Sequence, residues 1–348
     1  MERQNDSFIH SFFMNLLFSP STRCQQYPSS ALLNIMALDA IPTTAPAYSP
    51  EILKRSVGGG DDCTSLRKDL VFLFLGCEAK PPYGPYLHTA SLFLDLICRA
   101  LIKCSNSSTT ATTVVIKVYS VSQGNFPNPQ DYEECSGIIL PGSFNSAYDE
   151  EPWILQLSKV IQEELVAKAR PTLGVCFGHQ LYAHSFADGG VSKCPAGPQA
   201  GRKRSTLTKA GQQFLSSNND GNNKSTSLQL FYTHGDMVER LPSQGVSLGG
   251  NEQVPVQAAL YFESPPAEQR RPIAITFQAH PEYGSQNGME GTLYPTVQAM
   301  EERGDITSDQ AQQAKDDAKL RLEAVESESV SVMITVGRLL GWFPEPSQ

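Results

Sequence analysis

The run Leu70-Val-Phe-Leu-Phe-Leu-Gly76 constrains this chain more than any other segment. It is continuously apolar and ends in glycine, so it offers no polar face to water. A strand of that kind is stable only with both faces covered, which is the condition inside a parallel sheet. The residues that follow keep the rhythm such a sheet needs. Ala90 to Leu101 carries Leu92, Phe93, Leu96, Ile97 and Leu101 at helical spacing. A polar loop, 105–113, leads to a second strand, Val114 to Val121. Gly137 to Leu140 reads as a third strand, stopped by Pro141-Gly142. Trp153 to Ala169 reads as a helix with Pro152 suited to its first turn. Thr172 to Val175 is a fourth strand running directly into a helix, Phe177 to Phe186. This alternation predicts an α/β fold: a three-layer α/β/α sandwich with a mostly parallel central sheet.

The second half of the chain changes character. Lys203 to Leu215 and Leu228 to Thr233 read as short strands and turns around a polar insert, SSNNDGNNKSTS, expected to be mobile. Strands return at Val256 to Phe262 and Ile273 to Gln278. Thr307-x-x-Gln310 has the spacing of a capping box, and Val330, Met333, Ile334 and Leu340 mark an apolar helical face beyond it. Residues 1–68 contain Pro/Ser/Thr clusters and the run Gly58-Gly59-Gly60, and are expected to form a disordered or targeting extension. Within them, Phe8 to Phe18 is the one apolar stretch, and 56–62 reads as a flexible linker. The expected division is therefore 1–68 extension, 69–300 catalytic domain and 301–348 a C-terminal helical extension packed on the domain.

Bulk properties exclude several classes. With 348 residues, 40% of them hydrophobic, the chain can build a sizeable core without staples. A net charge of −9 argues against a nucleic-acid or anionic-membrane partner. None of the eight cysteines forms a CxxC pair, which argues against a metal site. Scattered thiols of this kind suit a reducing compartment, so the expected location is cytoplasmic. No apolar run is long enough to span a bilayer.

The chemistry concentrates at Gly174-Val-Cys176-Phe-Gly178-His-Gln180. A G-x-C-x-G frame between strand and helix is the thiol version of a nucleophile elbow: the turn lifts the sulfur out of the sheet, and the helix N-terminus behind it favours the thiolate. Phe277-Gln-Ala-His280-Pro-Glu282 follows an apolar strand. His280 at a strand end is placed to act as general base, and Glu282, two residues on, to hold the other ring nitrogen. Gly142, in the loop after the third strand, and Phe177, just after the nucleophile, offer backbone N–H groups for an oxyanion.

Together these segments resemble the class I, triad-type glutamine amidotransferases, over roughly residues 70 to 300. Asp131-Tyr-Glu, GIILPGS, TKAG, Thr233-His-Gly-Asp236, PVQA and QAHPEY resemble its stand-alone branch, related to the glutamine domain of GMP synthase and to plant γ-glutamyl peptidases. The loop reads PGS rather than SGG, and the base motif QAHPE rather than QFHPE, both as in that branch. The resemblance implies that Gln180 contacts the glutamyl part of a substrate and that His234, Gly235 and Asp236 help bind its α-amino and α-carboxylate groups. It implies a cysteine-dependent hydrolase of γ-glutamyl amide bonds that needs no cofactor. Two substrate readings follow: a γ-glutamyl peptide hydrolysed by the protein alone, or glutamine hydrolysed with ammonia passed to a separate acceptor protein. A non-catalytic binding protein on the same scaffold is the third alternative.

Overall fold

The computed structural model describes residues 48–58, 68–104, 111–215, 225–265 and 271–344. The first strand, β1, is Glu51–Val57, inside the span read from sequence as an extension, so the sheet begins before residue 69. The rest of residues 1–68, apart from Tyr48–Gly58 and Lys68, and most of the polar insert lie outside the described residues. The parallel half follows in order: β2 (Lys68–Leu75), α1 (Tyr86–Cys104), β3 (Thr112–Tyr119), α2 (Pro129–Glu134), β4 (Gly137–Leu140), α3 (Pro152–Val160), β5 (Thr172–Val175) and α4 (Phe177–His184). After α3 the helix continues as a wider turn of π type through Ile161–Val166.

The second half is β6 (Gly190–Lys193), β7 (Gln199–Leu207), α5 (Lys209–Phe214), β8 (Ser227–His234), β9 (Asp236–Arg240), β10 (Gly245–Gly250), β11 (Ala258–Tyr261) and β12 (Ala274–Phe277). After β12 come the α-helices α6 (Gln286–Gly288), α7 (Tyr294–Glu302) and α8 (Ser308–Leu339). The sequence read Lys203–Leu215 as part of a region of short strands and turns, but its second half is α5. Thr208 caps that helix by accepting from the Gly211 amide at 3.0 Å. The TKAG segment is thus an N-cap, and local capping overrode the strand pattern.

Among the described residues the main sheet has ten strands, in the order β1-β3-β2-β4-β5-β12-β11-β10-β7-β8. Its centre, β3-β2-β4-β5-β12, is parallel, as expected. An antiparallel flank, β11-β10-β7-β8, extends it, and β1 closes the other edge antiparallel to β3. A separate two-stranded ribbon pairs β6 with β9.

The apolar run of β2 shows why the sheet is covered twice. Leu70, Phe72 and Phe74 pack into a core with α1, α7 and α8, whereas Leu73 and Leu75 join α3 and α4 on the opposite face. Alternate residues of one strand thus anchor both helical layers, which is the period-two geometry of a pleat. On the first face α8 packs against α1 of the parallel half and against β7 and β8 of the flank. Its start is the expected capping box: Thr307 Oγ1 accepts from the Gln310 amide at 3.2 Å, and Gln310 Oε1 accepts from the Thr307 amide at 2.8 Å. Val330, Met333 and Leu340 are buried there. No helix among the described residues is long and apolar enough to cross a membrane.

Candidate active site

Cys176 sits between β5 and α4 with φ 52° and ψ −107°, a positive φ that side chains with a Cβ seldom adopt. Its amide donates to the Phe277 carbonyl of β12 at 2.8 Å, and the Gly178 amide donates to Pro141 at 3.1 Å. These two bonds pin the elbow to both neighbouring strands. The glycines of the frame serve close approach rather than the turn angle. A Cβ built on Gly178 would collide with the Leu140 carbonyl oxygen, and one on Gly174 would lie 2.8 Å from Thr276 Cγ2 and 3.0 Å from the Gly178 oxygen. The strained torsion falls on the cysteine itself, a pattern found where a side chain is held for chemistry.

Gly142, Cys176 and His280 converge on one point. A Cβ on Gly142 would lie 3.2 Å from His280 Cε1 and 3.6 Å from Cys176 Cβ. Among the described residues neither the Gly142 nor the Phe177 amide has a protein acceptor, so both remain available to a ligand. His280 and Glu282 are each 1% exposed, and His280 Nδ1 lies 2.8 Å from Glu282 Oε1. That contact leaves Nε2 buried with no hydrogen-bond partner among the described residues. Burial alone would drive the His280 pKa down, but the Glu282 carboxylate and then Cys176 outweigh it, and the imidazole is pushed up to about 10. Tyr283 stacks on the ring at 4.1 Å with an interplanar angle of 2°, and Tyr83 stacks on it at 5.9 Å and 19°.

A cavity of about 410 Å³ opens beside Cys176. Gln180, His234, Gly235 and Asp236, named from sequence, all line it. Their side chains are engaged as follows. Gln180 Nε2 donates to the Asp236 carbonyl at 2.9 Å and to Gln278 Oε1 at 3.0 Å. His234 Nδ1 donates to the same carbonyl at 2.8 Å, while its Nε2 is buried without a partner among the described residues. Burial lowers the His234 pKa to about 3, so the ring is neutral and Nε2 is an acceptor. The Asp236 carboxylate accepts from Ser146 Oγ at 2.6 Å and from Tyr148 OH at 3.2 Å. Asp236 therefore ties the loop after Gly142 to the turn between β8 and β9. Gly235 faces open space, with only Pro198 Cγ near a Cβ position, at 3.9 Å.

Several cavity residues carried no motif. Tyr83 donates or accepts with Thr233 Oγ1 at 3.0 Å and meets Phe144 edge-on at 4.6 Å. Phe144 directly follows the PGS loop, which was the available signal. Thr296, Met300, Arg303 and Asp305 enter from α7 and the turn after it. Nothing in their spacing marks them, because a helix that walls a cavity has the same apolar period as one that walls a core. His179, inside the elbow motif, is a satisfied core residue: Nδ1 lies 2.7 Å from Thr276 Oγ1 and Nε2 3.3 Å from the Val256 carbonyl.

Comparison with known proteins points in one direction. The family model described as "Glutamine amidotransferase class-I" matches residues 97–294, more than half of the chain. A γ-glutamyl peptidase, number 2 of Arabidopsis thaliana, is 28% identical over 169 residues, covering 49% of this chain and 62% of that protein. The chain thus spans about three fifths of the length of that curated relative. The glutamine-hydrolysing GMP synthase of Streptococcus pneumoniae is 32% identical over 124 residues, 35% of this chain and 21% of that one. Among solved structures, a glutamine amidotransferase from Thermotoga maritima superposes with a TM-score of 0.53 at 18% identity, covering 78% of this chain and 98% of its own.

Proposed function

Because the chain belongs to the class-I glutamine amidotransferase family, we propose that it hydrolyses γ-glutamyl amide bonds through a thioester on Cys176. The observation that carries this reading is the convergence of a strained Cys176, the Gly142 loop and a Glu282-held His280 on one point. Cys176 Sγ attacks the γ-carbonyl carbon as the thiolate. The carbonyl oxygen takes up the negative charge and is met by the Gly142 and Phe177 amides; one such donor is typically worth about 10²–10³ in rate. The protonated His280, favoured by Glu282, then gives its Nε2 proton to the leaving nitrogen as the C–N bond breaks. The amine departs and a γ-glutamyl thioester remains. Water attacks that thioester, His280 takes its proton, and glutamate leaves with the thiolate restored.

Gln180, His234, Gly235 and Asp236 form the wall for the glutamyl part in this reading. Similarity to γ-glutamyl peptidases favours a γ-glutamyl peptide as substrate. The test is an assay of purified protein, without any partner, against glutamine and a panel of γ-glutamyl peptides, with mass spectrometry for a glutamyl adduct on Cys176. Turnover with an adduct that disappears in Cys176→Ala is the expected outcome. Turnover that survives in Cys176→Ala would remove Cys176 from the mechanism.

A further inference from the structure

The wall of the cavity contributed by α7 lies beyond residue 294, where the family match ends, yet it faces the same space as Cys176. Its cation is Arg303, whose guanidinium has two partners, one on the same wall and one on the loop after Gly142. Nε donates to Asp305 Oδ2 at 2.9 Å, and Nη2 lies 2.8 Å from the same oxygen. The guanidinium carbon stands 5.2 Å over the Phe144 ring, which is itself braced by Tyr83. One carboxylate and one aromatic face therefore hold the fork, while Nη1 has no protein partner among the described residues and the side chain is 48% exposed. Lys193 lines the same cavity and makes no ion pair among the described residues. On the facing wall the Asp236 carboxylate is already occupied by Ser146 and Tyr148. Asp236 and Asp305 balance the two cations in formal charge, but Lys193 and Nη1 of Arg303 have no acidic partner among the described residues, so the donors left free in the cavity are cationic.

We infer that Arg303 selects the leaving group: the preferred substrates are γ-glutamyl compounds whose amine part bears a free carboxylate, bound by the guanidinium as the leaving amine departs. This inference rests on the hydrolase reading above. The γ-glutamyl group is common to every substrate of that reading and falls to residues within the matched span. What varies, the leaving group, falls to a wall outside it. A planar, permanently charged fork suits carboxylate recognition and is far less suited to ammonia, which is all that glutamine would release.

The test separates binding from chemistry. Cys176→Ala protein is titrated calorimetrically with γ-glutamylglycine and with γ-glutamylglycinamide, which differ only in that carboxylate. The acid should bind about tenfold or more tightly than the amide, as a charge-assisted hydrogen bond retained at a half-exposed site allows. Arg303→Met in the same background should bring the acid down to the affinity of the amide and leave the amide unchanged. Arg303→Lys, which keeps the charge and loses the fork, should fall between. Equal binding of both ligands, binding of neither, or an equal loss for both in Arg303→Met would overturn the inference. Wild-type turnover is measured in parallel. If wild type hydrolyses no γ-glutamyl compound while the calorimetric preference stands, the hydrolase reading fails and the carboxylate site survives.

Discussion

The parallel centre and the antiparallel flank of the sheet do different work. The centre places Cys176 at the end of β5 and His280 beyond the end of β12, two strands paired in parallel register from Thr172↔Ala274 to Val175↔Phe277. Every side chain there is walled by helices on both faces, so there is little slack. The end of β8 in the flank, the β6–β9 ribbon and the α7 turn join the loops after β2 and β4 in walling the cavity, where exposure rises and side chains such as Arg303 keep unused donors. In the proposed mechanism these two buried, neighbouring strands hold the reacting groups. Under the proposed function, a less confined rim would let the substrate preference change without disturbing them.

The strongest way to break this comparison is to remove the sulfur. Cys176→Ala should lower kcat by several orders of magnitude, since loss of a nucleophile is not compensated by the rest of the site. Cys176→Gly should be equally inactive and more stable by about 1 kcal/mol, because glycine accepts the positive φ without strain. Residual activity above about a tenth of wild type, or a large drop in melting temperature, would show that the elbow is structural.

Glu282→Gln should cost about 10²–10⁴ in kcat by analogy with other triads, while KM stays close to wild type. It also carries a pH signature. Folding raises the His280 pKa from its ordinary value near 6.5 to about 10, so the associated stability is complete below 6.5 and is lost as pH rises through 10. Melting temperature measured from pH 7 to 10 should therefore fall more steeply for wild type than for Glu282→Gln. Parallel curves would mean that the carboxylate does not hold an imidazolium.

The N-terminal edge sharpens the comparison from the other side. A chain starting at Ser65 should melt several degrees lower than one starting at Tyr48. The shorter chain loses β1, which pairs with β3 over Glu51↔Val118 to Val57↔Thr112. Equal melting of the two would make β1 an ornament of the sheet. A last contrast makes one substitution in two regions. Gly178→Ala, in the centre, should cost about 3 kcal/mol or prevent folding, since its Cβ meets backbone. Gly235→Ala, at the rim, should stay within about 0.5 kcal/mol in urea unfolding, since its Cβ meets almost nothing.

Legibility in the sequence follows the same division. Continuous apolar runs announced β2, β4 and β5, and the elbow and His-Pro-Glu motifs announced Cys176, His280 and Glu282, because buried parallel strands and tight turns restrict which residues fit. The antiparallel flank was less clear. Thr208 starts α5 in a stretch that read as short strands and turns, and β1 was hidden because this edge strand is exposed at most of its positions and carries Lys54 and Arg55 like any surface segment. The α7 wall gave no signal. Arg303 meets Phe144, 159 positions earlier, and no local pattern encodes that meeting.

Helix α8 has a consequence for how the molecule comes apart. Its 32 residues measure about 48 Å, long enough to lie across both halves of the sheet. It touches α1 on one side and β7 and β8 on the other. At Gly201, where φ is +80°, the strand approaches so closely that a Cβ would stand 2.8 Å from Ala314. A splint of this kind makes cooperativity a property of one element. The flank cannot peel away while the helix stays seated, and the helix cannot lift without uncovering the α1 side of the core. Amide hydrogens of β7 and of β2 should then exchange with the same opening free energy, as members of one unit rather than two.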